Sequence, residues 1–272
     1  MQPSLTVGIP FHKSVNPKFL EMAVKSIINQ SLKPDVIHLI QDGEITSELN
    51  DVVSQFEGEN IKKITFQQNQ GLACVLNYSI KEASTKYYAR MDADDIAQSD
   101  RFFKQIQFLQ ENHDIDIVGS YCFEIDANNN KMKLRKMPVV HQDIYNNLFT
   151  SPFIHPTVMF KKSIIAKAGW YDETLKRRQD YSLWFKCAKA GAKFANIDEP
   201  LLLYRFTADT HKKQNFNLML SQGKIGFRGV RSLNQSYFKA IACYIPLFRS
   251  LLPYKVQHIF YKMFKMLDPR QK

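Results

Sequence analysis

From Leu5 to Met91 the chain alternates short apolar runs with segments of helical periodicity, and nothing else in the sequence constrains the fold as much. Leu5–Ile9 is an apolar run closed by Pro10, and Phe19, Met22, Ala23, Ser26 and Ile27 follow at helical spacing. Val36–Ile40 reads as a second strand, stopped at Asp42-Gly43; a polar helix is expected over Ser47–Phe56, and Ile61–Phe66 reads as a third strand. Leu72–Ala83 puts Leu72, Val75, Leu76, Ser79, Ile80 and Ala83 on one helical face, ahead of a fourth strand at Tyr87–Met91. Strands separated by helices of this length form βαβ units with right-handed crossovers. The predicted fold class is therefore α/β, with a Rossmann-like, mostly parallel central sheet flanked by helices.

The second half is more mixed. Asp116–Ile125 is expected as a strand, Asp126–Asn130 as a turn and Thr157–Phe160 as a short strand. Ser182–Ala190 is expected as a helix ending at Gly191, and Lys193–Ile197 and Leu201–Arg205 as edge or closing strands. At 272 residues, 44% hydrophobic and 23% charged, the chain can bury a core of its own, which excludes disordered and collagen-like classes. Cys74, Cys122, Cys187 and Cys243 form no CxxC pair, which argues against a zinc ribbon or a disulfide framework and for a reducing cytoplasm. The start, MQPSLTVGIPF, has neither the basic nor the apolar region of a signal peptide, and no run reaches the roughly 18–20 apolar residues of a membrane span.

Charge is unevenly spread. Residues 1–205 hold 25 basic and 24 acidic side chains, whereas residues 206–272 hold 12 basic and only 2 acidic ones, Asp209 and Asp268. The basic excess belongs to the C-terminal quarter. That argues against a nucleic-acid footprint over the main body and for an anion-seeking tail.

Arg90-Met91-Asp92-Ala93-Asp94-Asp95 sets three carboxylates at the end of the fourth strand. Like charges this close repel, and a bound Mg²⁺ or Mn²⁺ would supply the compensation. Strand ends are also where open α/β sheets bind ligands. The competing explanation is a solvated acidic turn with Asp95 capping a helix. The chain lacks GxGxxG, GxxxxGK[ST] and GxSxG, which disfavours dinucleotide, P-loop and α/β-hydrolase chemistry.

Val7-Gly8-Ile9-Pro10, Gln41-Asp42-Gly43, Asn69-Gln70-Gly71-Leu72 with Asn77, and Ala89 through Asp95 together resemble the family 2 glycosyltransferases of GT-A fold. So do Arg101 with Gln105, Val118-Gly119, His155 through Phe160, Gln179 through Trp184, and Tyr204-Arg205; the nearest likeness is to bacterial capsule and exopolysaccharide transferases of the amylovoran type. The resemblance runs from about residue 5 to residue 205. It implies a nucleotide-binding half over residues 1–100 and an acceptor-binding half over 101–205; charge and spacing make residues 206–272 a basic amphipathic helical tail.

It also implies roles. Pro10 lies against the nucleotide, Asp42 contacts the base, and Asn69, Gly71 and Asn77 shape the nucleotide pocket. Arg90, Asp92 and Asp94 fall in the donor site, where the Asp92/Asp94 pair holds ribose and metal-diphosphate. Asp180 matches the general base on the acceptor hydroxyl. His211 is a further candidate metal ligand, against a solvated linker. His155 is either a turn residue fixed by Pro156 or a contact to acceptor or diphosphate.

Two departures from the family pattern stand out, Gln41 and the Gln179/Ser182 pair, where acids are common. Asp180 follows Arg177 and Arg178, whose charge favours its ionised form, and it could equally cap the following helix. The implied activity is inverting, metal-dependent transfer from a nucleoside-diphosphate sugar, UDP by preference, to a bacterial surface glycan on a lipid carrier. The rivals are a nucleotidyltransferase and a catalytically degenerate binding subunit.

In the tail, Phe238–Leu252 is apolar and aromatic, and Val256, Ile259, Phe260, Met263, Phe264 and Leu267 recur at helical spacing among Lys255, Lys262 and Lys265. A basic amphipathic segment suits an anionic membrane surface and hence a cytoplasmic protein on the membrane's inner face. A lid on the body or an oligomer contact are the alternatives.

Overall fold

A computed structural model describes residues 4–206 and 216–251. Three βα steps and a fourth strand build the first half: β1 (Leu5–Phe11), α1 (Pro17–Ile28), β2 (Val36–Asp42), α2 (Ser47–Ser54), β3 (Ile61–Phe66), α3 (Leu72–Glu82) and β4 (Tyr87–Arg90). Every residue of β1 is buried, as its unbroken apolar character requires of a central strand. Helix α1 starts where Asn16 accepts a hydrogen bond from the Lys18 N–H and Pro17 occupies the first turn. β1 pairs in parallel with both β2 and β4, and β2 with β3, so the C-terminal ends of all four strands open on one edge.

The second half comprises β5 (Ile96–Ala97), α4 (Arg101–Glu111), β6 (Ile117–Ile125), β7 (Lys131–Arg135), α5 (His141–Asn146), β8 (Met159–Lys161), α6 (Lys162–Ala168), α7 (Gln179–Lys189) and β9 (Phe194–Arg205). The sheet runs β3-β2-β1-β4-β8-β6-β9-β5, with β7 hydrogen-bonded to β6. Antiparallel β8 joins β4 to β6, and this is where the parallel block gives way to a mixed one.

Three sequence expectations change here. The segment expected as two edge strands is one twelve-residue strand, β9, lying between β6 and β5. It runs on through Pro200 because its register against β6 shifts around Tyr121, where the ladder is already broken. Thr157 belongs to a 3₁₀ turn, His155–Thr157, and the strand begins at Met159. Helix α7 starts at Gln179, three residues earlier than its apolar pattern suggests, so Asp180 sits in its first turn and Arg178 occupies the cap in the left-handed region.

The C-terminal helices α8 (Phe216–Ser232), α9 (Tyr237–Ala242) and α10 (Ile245–Leu251) follow residues 207–215, which lie outside the described set. Helix α8 presses on α7 through small residues. A Cβ at Gly226 would meet Tyr181 Oη at 2.4 Å, and one at Gly229 would meet the Phe185 ring at 2.3 Å. Val230, Ala240 and Cys243 share one buried cluster with Tyr181, Trp184 and Phe185. The first part of the expected tail is thus packed on the body. The Val256–Leu267 stretch and His211 lie outside the described residues.

Candidate active site

The predicted donor-site residues gather at the open edge of the parallel block. Pro10 pairs with Ile40 near the end of β1, Asp42 ends β2, and Arg90 ends β4. In the turn after β4, Asp92, Asp94 and Asp95 each bring a carboxylate oxygen within 4.8 Å of the others.

Neighbouring elements hold this turn in shape. The Asp95 carboxylate is buried and accepts the Arg205 N–H at 2.8 Å through Oδ1, while its Oδ2 has no partner. Arg205 also donates from Nε to the Asp94 carbonyl at 2.7 Å and from Nη1 to the Asp126 carbonyl at 2.7 Å, and it stacks on Phe19. Arg101, fully buried, donates to the Arg90 carbonyl at 2.9 Å and to Gln105 at 3.1 Å, and Gln105 passes the chain on to the Thr157 carbonyl. Burial pulls the Arg101 guanidinium down to about 9, against the pull of Asp95.

Electrostatically the turn is short of positive charge. Desolvation first, and then the Asp92 charge, push the Asp94 carboxyl up to about 6, although its tip still meets solvent. Burial and the two neighbouring carboxylates push Asp95 well above the usual range. Arg90 answers part of this. It is 3% exposed and ion-paired to Asp92, which holds it protonated against the cost of its own burial. Its Nε and Nη1 nevertheless have no hydrogen-bond partner. Crowded hard oxygens, one orphaned buried oxygen and raised carboxyl pKa values fit a divalent cation held by Asp92 and Asp94 with Asp95 behind them.

Asp42 is differently placed. It is 6% exposed, and its carboxylate accepts the Gln70 N–H at 2.6 Å, the Asn69 Nδ2 at 2.9 Å and the Gly71 N–H at 3.1 Å. It therefore clamps the loop that carries the other two predicted pocket residues. Asn77 faces the interior: its amide bonds the Tyr171 backbone in both directions, at 3.0 and 2.9 Å, and reaches Glu173 at 2.7 Å. It can shape a nucleotide pocket only by fixing the 171–173 segment.

Asp180 lies half-buried in the first turn of α7. Burial raises its carboxyl, opposed by the Tyr181 N–H and by the charges of Arg178 and Arg90. Arg178 favours the ionised form, as its place in the sequence suggests, but desolvation outweighs it. Arg90 is thus felt by Asp180 on one side and paired with Asp92 on the other. His155 bonds the Tyr171 hydroxyl at 2.8 Å and packs on Trp184; burial, then Arg90, hold it neutral, well below its ordinary pKa.

Sequence reasoning assigned no role to Arg101, Arg205 or the 171–173 segment. Tyr204-Arg205 was visible as a motif, yet nothing in the sequence ties it to a turn 110 residues earlier.

Comparison with known proteins identifies the family and the fold. The model of "Glycosyl transferase family 2" matches residues 6–169. The chain is 31% identical over 264 residues to an Escherichia coli UDP-Gal:alpha-D-GlcNAc-diphosphoundecaprenol beta-1,3-galactosyltransferase, covering 96% of each chain. It is 28% identical over 262 residues to the amylovoran biosynthesis glycosyltransferase AmsE of Erwinia amylovora, covering 94% of this chain and 97% of AmsE. Residues 1–349 of S. aureus TarS, solved in complex with UDP-GlcNAc, superpose with a TM-score of 0.69 at 14% identity, over 98% of this chain and 76% of that one. The fold is that of the GT-A enzymes, and the chain belongs to glycosyl transferase family 2 and is a glycosyltransferase.

Proposed function

We propose that this glycosyltransferase moves a sugar, with inversion, from a UDP-sugar to a lipid-linked bacterial surface glycan at the inner face of the membrane. The observation that carries the proposal is the buried Arg90 guanidinium, ion-paired to Asp92 and close enough to Asp180 to lower its carboxyl pKa, with two of its nitrogens unpartnered. The bacterial relatives support a polysaccharide product and a diphosphate-lipid acceptor, and the UDP-GlcNAc complex of TarS supports the donor class.

In this reading residues 1–100 hold the donor. The loop that Asp42 clamps meets the base, with Pro10 beneath. Asp92 and Asp94 hold Mn²⁺ or Mg²⁺, which supplies positive charge to the diphosphate. The buried Arg90 guanidinium adds fixed positive charge behind the same phosphates, where negative charge grows as the glycosidic oxygen departs. Residues 101–205 hold the acceptor. Asp180 takes the proton of the attacking hydroxyl, the new bond forms at the anomeric carbon, and UDP leaves from the opposite face, so the configuration inverts. Its raised carboxyl pKa suits a proton acceptor.

Asp180→Asn keeps the shape of the side chain. Turnover with a UDP-sugar panel and a diphospholipid-linked sugar should fall about 10²–10⁴-fold. UDP affinity and melting temperature should hold. A folded variant that transfers at close to the wild-type rate would remove Asp180 from the base role.

A further inference from the structure

Helices α9 and α10 form an almost continuous rod whose two faces differ. Ala240, Cys243 and Leu247 are buried against the body. On the opposite side Phe238 is 81% exposed, Ile241 58%, Ile245 41% and Phe248 60%, at intervals of three and four residues. That spacing puts four large apolar side chains on one stripe of the rod. A soluble surface rarely carries such a stripe without an occupant. The described C-terminal segment is one-sided in charge. Residues 216–251 hold five basic side chains and no acid. Lys224 and Arg228 are exposed on α8, and Arg231 stacks over Tyr237 at 3.7 Å, next to Phe238.

We infer that Phe238, Ile241, Ile245 and Phe248 are the face by which this protein inserts into an anionic lipid surface. The inference rests on the lipid-linked acceptor proposed above and names the surface that meets the bilayer. Charge selects the occupant. A second copy would bring an equally basic segment against this one, and like charges would oppose the apolar gain. Anionic headgroups complement the basic rim while the interfacial region takes up the rings.

The packing adds an orientation. On the inner side of the same rod Cys243 Sγ lies 3.7 Å from Tyr181 Oη, and Tyr181 follows Asp180 in α7. Docking by the outer face would therefore hold the α7 side of the site towards the membrane, so a lipid-borne acceptor need not leave its bilayer.

The test is co-sedimentation of the full chain with large unilamellar vesicles, one set of pure phosphatidylcholine and one containing phosphatidylglycerol. Phe238→Ser/Phe248→Ser is the variant, and both positions are exposed, so its melting temperature should match wild type. Wild type should bind the phosphatidylglycerol vesicles at low salt, release in high salt, and bind pure phosphatidylcholine far less. The double variant should lose about tenfold or more in partitioning, given the apolar area removed. Three results overturn the inference: no binding by wild type, equal binding by the variant, or a wild-type dimer that ignores vesicles and that the variant dissolves. No sugar transfer is measured, so failure here leaves the Asp180 test standing, and failure of that test leaves this one.

Discussion

Asp42 ends β2 and Asp94 follows β4, on either side of β1 at the same open edge of the parallel block, yet they stand in opposite physical states. The carboxylate after β2 is saturated by three protein donors and fixes a loop. The carboxylate after β4 stands beside two others of like charge, and Arg90 and Arg205 offset only part of that repulsion. A satisfied acid is part of the scaffold. A cluster that raises its own pKa values has free energy available for a ligand. The same residue type at equivalent strand ends therefore does different work, and burial with partner count tells the two apart where sequence does not.

The largest effect that would test this contrast is at the acidic turn. Asp94→Asn should abolish metal-dependent transfer, with a loss of about 10³-fold or more if the diphosphate loses its cation. The pH dependence follows from the raised pKa. Asp94 titrates near 3.8 unfolded and about 6 folded, so the fold favours its protonated form. The stability this contributes is whole below about pH 4 and is lost as pH rises through about 6. In metal-free buffer the melting temperature of Asp94→Asn should therefore gain on wild type between about pH 4 and pH 6 and level off above. Mn²⁺ should raise the wild-type melting temperature at pH 7 and leave the variant unmoved. A variant that transfers normally with metal, or melts in parallel with wild type across this range, would put the cation elsewhere.

The next effect lies at the saturated end. Asp42→Ala removes three acceptor contacts and leaves the Gln70 and Gly71 N–H groups without partners. That should cost roughly 2–3 kcal/mol, since charged hydrogen bonds contribute about 1.5–3 each and the loop edge can recover water. UDP affinity should fall as well, because the Asn69–Gly71 loop loses its shape. Here stability and binding drop together, whereas at Asp94 activity drops while metal-free stability rises. An Asp42→Ala protein that melts like wild type while losing UDP would mean the carboxylate meets the nucleotide before the loop, and the contrast would fail.

The parallel block was the most legible part of the sequence because its signals are local. Its strands are apolar runs, its helices carry 3.6-residue periodicity, and Asp42, Asp92 and Asp94 stand at strand ends. The second half was harder to read for physical reasons. β5 has two residues, too few for any periodicity, and exists through its antiparallel pairing with β9. β9 looked like two strands because Pro200 cannot donate to a ladder, and its continuity depends on a bulge that sequence does not announce. The roles of Arg205 and Arg101 were invisible because each acts through a backbone group far away or through another buried side chain. Asn77 was legible as a motif residue, but a buried amide bonding Tyr171 and a pocket-lining amide have the same sequence.

The smallest effect concerns Gly71, where the two kinds of constraint meet. Its φ is +87° with ψ at 156°, a region that costs residues with a Cβ about 1–3 kcal/mol. Apart from its chain neighbours, no residue comes within 4 Å of where that Cβ would stand, so Gly71→Ala meets backbone strain and no collision. The loop has little freedom to relieve the strain. The Gly71 N–H is held by Asp42 at 3.1 Å, and its carbonyl accepts the Val75 N–H at 3.2 Å, opening α3. The expected cost is about 1–2 kcal/mol, or a few degrees in melting temperature for a chain of this size. UDP affinity should weaken only slightly, since the loop stays clamped. The double variant Asp42→Ala/Gly71→Ala sharpens the point. Once the clamp is gone the loop can relax around the new methyl, so Gly71→Ala should cost at least about 0.5 kcal/mol less in that background than in wild type. Full additivity of the two losses would show that Asp42 does not impose the conformation at Gly71, and the scaffold role of the β2 carboxylate would shrink to a set of independent hydrogen bonds.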